Sequence, residues 1–267
     1  PAAQIGVELG NKAFQHMQQN VNQNISRWVD YSHLKGYFNV STSYVFNKIR
    51  LLLFPYTHKS WTRLVKRSPQ SGQMEGHRPP REDLNAPDLY IPLMSLITYV
   101  LLIGLQLGLK DAGNLSGNKD NLLNGVKTPV VAPLAKSFSP DVLGMTFSSA
   151  IAFMVVEVLI LLFSLYMMSV HSNTLILDLV SYSGYKYIGI IFTVLAKIFT
   201  LPRWAIGSIF FYCMISLGFF TIRTLKYILL PENINPINPS ARQRRIHFLF
   251  IVSLLQIFIS WILVGYI

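Results

Sequence analysis

The chain changes character near residue 88. Beyond that point, apolar runs cover residues 89–109, 143–170, 175–199, 204–222 and 246–267. Each approaches or exceeds the ~20 residues that a helix rising ~1.5 Å per residue needs to cross a ~30 Å hydrocarbon layer. Before it, apolar residues recur at helical spacing instead. Phe14, Met17, Val21, Ile25 and Trp28 step by three and four along residues 2–30, the pattern of an amphipathic helix. Residues 37–62 are more apolar, but the run from Tyr44 to Phe54 is too short to span a bilayer and contains Lys48 and Arg50. Pro55 ends it, and its aromatic and basic residues (Tyr44, Phe46, Lys48, Arg50 and Phe54) predict a helix that packs into the membrane surface or onto the bundle's cytosolic face, with Lys48 and Arg50 toward the headgroups. Residues 63–87 are polar and include Pro79-Pro80, a linker pattern. The pattern predicts an all-α membrane protein: a cytosolic N-terminal region of amphipathic helices, residues 1–87, then a five-span membrane domain, residues 88–267. Residues 110–141 read as a polar loop, and the fourth span continues as an amphipathic helix to Leu230.

Composition agrees with this division. Only 13% of residues are charged and 51% are hydrophobic, against about a quarter charged in soluble domains, which excludes an ordinary soluble enzyme. The formal charge is +11. Because the cations lie between apolar runs, they set topology rather than bind nucleic acid. Eleven Lys/Arg precede the first span, and Arg223, Lys226, Arg242, Arg244 and Arg245 follow the fourth. With five spans these sets share one face, which predicts a cytosolic N-terminus and a luminal C-terminus. The sequons at Asn24 and Asn39 then stay unmodified, while the luminal Asn114 lies too near the membrane to be a good acceptor. No signal peptide is visible, and a start at Pro1 rather than Met suggests a preceding polar leader.

Reactive constellations are missing from the pattern. Cys213 is the sole cysteine, so there is no internal disulfide and no thiolate zinc site. The six histidines lie outside or at the edges of the spans, with no HExxH, phosphate-binding glycine loop or GxSxG. No metal, cofactor or catalytic residue is expected. The informative polar residues are Glu157 in span two and Asp178 and Lys186 in span three, costly positions that often serve function. A turn at residues 171–173 sets Glu157 and Lys186 each 12 residues inside its span, roughly 18 Å from one membrane edge. Equal depth predicts an intramembrane ion pair. Asp178, close to the turn, is expected to reach water or headgroups without a partner. A transporter path through these charges and a lipid-handling groove are the alternatives from other functional classes.

Two short motifs add a family. Ala86-Pro87-Asp88-Leu89-Tyr90-Ile91-Pro92, at the mouth of the first span, resembles the DLYxP signature of the YIP superfamily. Gly184-Tyr185-Lys186-Tyr187, with Gly189, resembles its second signature, and the stretches YFNVSTSYVFNKIRLLLFPY, FSPDVLG and FMVVEVLILLFSLY are similar to the Yip-interacting-factor (YIF) branch. The resemblance runs from Leu34 to Ile267, with residues 114–136 as an insertion. It implies a non-enzymatic adaptor of ER-to-Golgi vesicle transport in ER, Golgi and vesicle membranes. Its implied partners are a YIP-family membrane protein in a heteromer, prenylated Rab-type GTPases, vesicle coat components and membrane lipids. The motif positions are Asp88, Leu89, Tyr90, Pro92, Gly184, Tyr185 and Lys186. Physically, Asp88 suits a helix N-cap, Pro92 a first helical turn, Tyr90 the headgroup level, and Gly184 and Gly189 close helix approach.

Overall fold

The structure, a computed structural model, describes residues 31–67, 74–123, 140–167, 176–229 and 239–265. The amphipathic stretch at residues 2–30 and the turn at 171–173 lie outside them. Among the described residues, α-helices and strands follow in chain order: α1 (Tyr31–Phe38), α2 (Thr42–Leu53), β1 (Val65–Arg67), β2 (Met74–His77), α3 (Tyr90–Leu123), α4 (Pro140–Met167), α5 (Ile176–Gly184), α6 (Lys186–Ile198), α7 (Arg203–Leu229) and α8 (Pro239–Gly265). Among the described residues, five helical segments are long and apolar enough to cross a membrane: Tyr90–Ala112, Pro140–Met167, Ile176–Ile198, Arg203–Tyr227 and Arg242–Gly265.

The third span forms the centre of the bundle and is the most buried, and α4 is the most peripheral. Small residues permit this. A Cβ on Gly189 would stand 2.8 Å from side-chain atoms of both Leu217 and Met214 on α7, so the missing side chain sets how closely α6 and α7 pack. The third span is broken once, at Tyr185, which separates α5 from α6. The helices also extend past their apolar runs. Residues 110–123, read as loop, continue α3, and α8 starts at Pro239, ahead of its cationic turn; Pro suits a first turn because no N–H is missed there.

The N-terminal segment departs most from the sequence reading. Ser41 caps α2 by accepting from the Tyr44 N–H at 3.2 Å. The helix does not lie flat beside the bundle. It descends alongside α7 in the opposite direction: Lys48 lies near Phe220, the Leu52 carbonyl meets Ser216, and the Leu53 carbonyl meets Tyr212. A 3-10 turn at Pro55–Thr57 reverses the chain, and Trp61 returns to Phe219 and Phe220. The described residues of this stretch, 63–67 and 74–87, are not a featureless linker, because their polar side chains satisfy local backbone. β1 and β2 pair antiparallel. Asp83 accepts from the N–H groups of Leu64 (2.8 Å) and Asn85 (2.9 Å), and the Asn85 amide donates to the carbonyls of Ser60 and Thr62.

Candidate functional site

The two sequence motifs meet where the N-terminal segment docks on the bundle. Asp88 Oδ1 accepts from the Ile91 N–H at 2.8 Å and so caps α3. Its Oδ2 accepts from the hydroxyls of Tyr185 (2.8 Å) and Tyr44 (3.0 Å), while the Asp88 N–H donates to Tyr185 Oη at 3.1 Å. Gly184 presses on Pro92. Leu89, Pro92, Gly184, Tyr185 and Lys186 are buried with Asp88, and only Tyr90 among the motif residues is half-buried. The motifs therefore contact each other, and little of either reaches the protein surface.

Lys48 corrects the expectation that it points to the headgroups. It is fully buried, and its ammonium donates to the carbonyls of Leu84 (2.6 Å) and Ala86 (3.0 Å). The rings of Tyr44, Tyr185 and Phe220 surround it, with centroids 5.4–5.8 Å away, close enough for cation–π attraction. Burial pushes its pKa down to about 8, against the opposing pull of Asp88 and Asp83. The same burial, reinforced by Asp88, raises the Tyr44 phenol. Position 48 falls on the same face of α2 as Tyr44, Leu51 and Leu52, all buried. Of the remaining residues assigned to the interfacial helix, Phe46, Arg50 and Phe54 are exposed.

Asp178 is a second correction, since it has two partners and is buried. It accepts from the Tyr37 hydroxyl and forms an ion pair with Arg63 at 3.0 Å. Burial and Asp178 together hold the Tyr37 phenol protonated well above its usual range. Asp178 thus fastens both α1 and the segment after α2 to the bundle. No sequence signal links residues so far apart, although an acidic residue on a buried helix face is a reason to seek a donor.

Glu157 and Lys186 touch. One carboxylate oxygen accepts from the Lys186 ammonium and from the Ser183 hydroxyl, the latter at 2.9 Å. Nearby, Tyr187 donates to the Ala150 carbonyl at 2.7 Å, which fixes α4 against α6. Among the described residues no group of three or more His, Cys, Asp or Glu is placed to hold a metal ion.

Comparison with known proteins decides the family. The YIF1 family matches residues 1–116 and 123–264, which include both motifs. This chain belongs to the YIF1 family. It is 37% identical to the protein transport protein yif1 of Schizosaccharomyces pombe, over 98% of this chain and 82% of that one. Human protein YIF1B is 34% identical over 96% of this chain and 72% of its own length. The protein transport protein YIF1 of Saccharomyces cerevisiae is 32% identical over 84% and 63%. No solved structure matches. The gap in the family match, residues 117–122, falls in the stretch read as an insertion.

Proposed function

We propose that this YIF1-family chain is a non-enzymatic membrane adaptor of ER-to-Golgi vesicle transport. Its N-terminal region (residues 1–87) faces the cytosol. The membrane domain (residues 88–267) anchors it in ER, Golgi and vesicle membranes with a luminal C-terminus. It assembles as a heteromer with a YIP-family membrane protein and associates with prenylated Rab-type GTPases. Relatives named as protein transport proteins support the trafficking role.

The observation that carries the adaptor reading over a transporter is how the membrane charges are used. Glu157 is bonded to Lys186, and Asp178 to Tyr37 and Arg63. These charges hold the chain's own parts together. The excess of Lys and Arg in the N-terminal region and after the fourth span supports the orientation.

Purification from cells in mild detergent tests the reading. A YIP-family protein should co-elute at fixed stoichiometry, and a Rab-type GTPase should be recovered in its prenylated form only. Recovery of the chain alone, with solute flux in liposomes that depends on Glu157, would reject it. A glycan on Asn39, which is exposed in the structure, would reverse the orientation.

A further inference from the structure

The helix beside α7 reaches a depth that no headgroup-level helix would. Arg203 and Arg223 are exposed and bracket the apolar part of α7. Their separation of 20 residues spans roughly 30 Å, the thickness of the hydrocarbon layer. Tyr212 stands 9 residues from Arg203 and 11 from Arg223, so it marks the midplane to within roughly 2 Å. The C-terminal end of α2 is bound at that level. Tyr212 donates to the Leu53 carbonyl at 3.0 Å, and the Phe54 ring packs on Tyr212 with centroids 6.0 Å apart.

We propose that residues 42–61 form a re-entrant half-span, which enters the leaflet on its own side, turns at Pro55 near the midplane and returns, with Phe46, Phe54 and Tyr56 against acyl chains.

Three independent features fit this placement. First, backbone that ends a helix inside hydrocarbon must have its free carbonyls satisfied by protein. The Ser216 hydroxyl, fully buried, lies 2.8 Å from both the Leu52 and Leu53 carbonyls, and Tyr212 supplies a second donor. The turn is closed by Phe54 N–H to the Arg50 carbonyl and His58 N–H to the Pro55 carbonyl.

Second, the large exposed side chains at the turn are aromatic, with small Thr57 exposed beside them and Asn47 in mid-helix. Near the turn the exposed large side chains are Phe54 and Tyr56, whereas Thr42, Ser43, Lys59 and Ser60 are exposed at the two ends. Arg50, one helical turn above Phe54, is roughly 6 Å nearer the surface. Helical side chains tilt toward the N-terminus, which on this helix is the surface, so its guanidinium snorkels outward.

Third, the exposed apolar face continues an apolar perimeter. Phe54 lies against Tyr212, itself flanked by exposed Phe211 and Ile215. A span surface facing acyl chains at this depth faces the same chains on both sides of the contact, so lipid is the occupant.

Depth measurement in the full chain tests the proposal. Single substitutions Phe46→Cys, Phe54→Cys and Lys59→Cys are spin-labelled in phosphatidylcholine nanodiscs. Buried Cys213 stays in place, with a mock-labelled wild-type chain as correction, and the elution profile identifies chains that fold. Relative collision rates with oxygen and with a water-soluble nickel chelate give depth. The oxygen-to-nickel ratio should be highest at Phe54 and lower at both Phe46 and Lys59. Adding Ser216→Ala, which removes a carbonyl partner at the turn, should move the Phe54 label outward. A Phe54 label at headgroup depth would overturn the half-span. A label reached by neither reagent would show a protein cover in place of lipid, and would overturn it equally.

Discussion

Gly184 and Pro92 stand so close that a Cβ on Gly184 would lie 2.5 Å from the Cβ of Pro92. The two motifs, separated by most of the first three spans, are thus complementary surfaces. Neither partner is free to yield, because Pro92 is buried in the first turn of α3 and its ring is rigid. Gly184→Ala should therefore destabilise the bundle by about 1–3 kcal/mol, the usual cost of overpacking. Gly207→Ala, where nothing lies within 4 Å, should be neutral or slightly stabilising. Thermal unfolding of both variants in detergent separates the outcomes, and equal behaviour would remove the steric argument.

Asp88 gathers three donors, the hydroxyls of Tyr44 and Tyr185 and the Ile91 N–H. Asp88→Ala should leave these unsatisfied in a buried place, at about 1–3 kcal/mol for each orphaned group before relaxation. Because Tyr44 belongs to α2, limited proteolysis should cut within residues 39–62 of the variant at protease levels that spare the wild type. Asp88→Asn keeps an acceptor and should be milder on both readouts.

The Glu157–Lys186 pair is testable by a charge swap. Glu157→Lys or Lys186→Glu alone places like charges together in the bundle and should cost about 3–5 kcal/mol. The double variant should recover part of the loss, with a coupling of about 0.5–3 kcal/mol. Strict additivity of the single effects would mean that the contact contributes nothing beyond its parts.

Lys48 predicts an unusual pH dependence. With its pKa at about 8 in the folded chain and 10.5 as its ordinary value, the unfolded chain binds more protons between those limits. Stability must then rise with pH across that window. Lys48→Met should flatten the rise between pH 8 and 10. Above pH 10 the raised phenols of Tyr37 and Tyr44 act oppositely, because they stay protonated when the unfolded chain ionises. Melting curves of both proteins from pH 7 to 10 check the sign.

The spans were legible because a run of apolar residues has only one use at that length, and the shorter apolar run ended by Pro55 placed α2 as well. The equal distances of Glu157 and Lys186 from the turn expected of residues 171–173 carry depth information, since antiparallel helices joined by a short turn share a zero point. The surroundings of Lys48 carry none. A cation between Phe46 and Leu51 reads as a snorkelling residue, and only the tertiary fold brings two backbone carbonyls and three rings around it. The partners of Asp178 are hidden for the same reason: Tyr37 and Arg63 are 141 and 115 residues away in the chain. The polar composition of residues 63–87 signals turns equally well whether the turns are solvated or docked.

The contacts of Asp178 and Ser216 also set an order of events during synthesis. The segment that grips the bundle is made first, yet its partners emerge 141 residues after Tyr37 and 164 residues after Leu52. At about 5–20 residues per second, that is a wait of roughly 7–33 s. Until then Tyr37 and the end of α2 lack these partners, and Phe46, Phe54 and Tyr56 form an apolar stretch outside any completed span. The N-terminal segment can therefore complete its docking only once the fourth helix has been made.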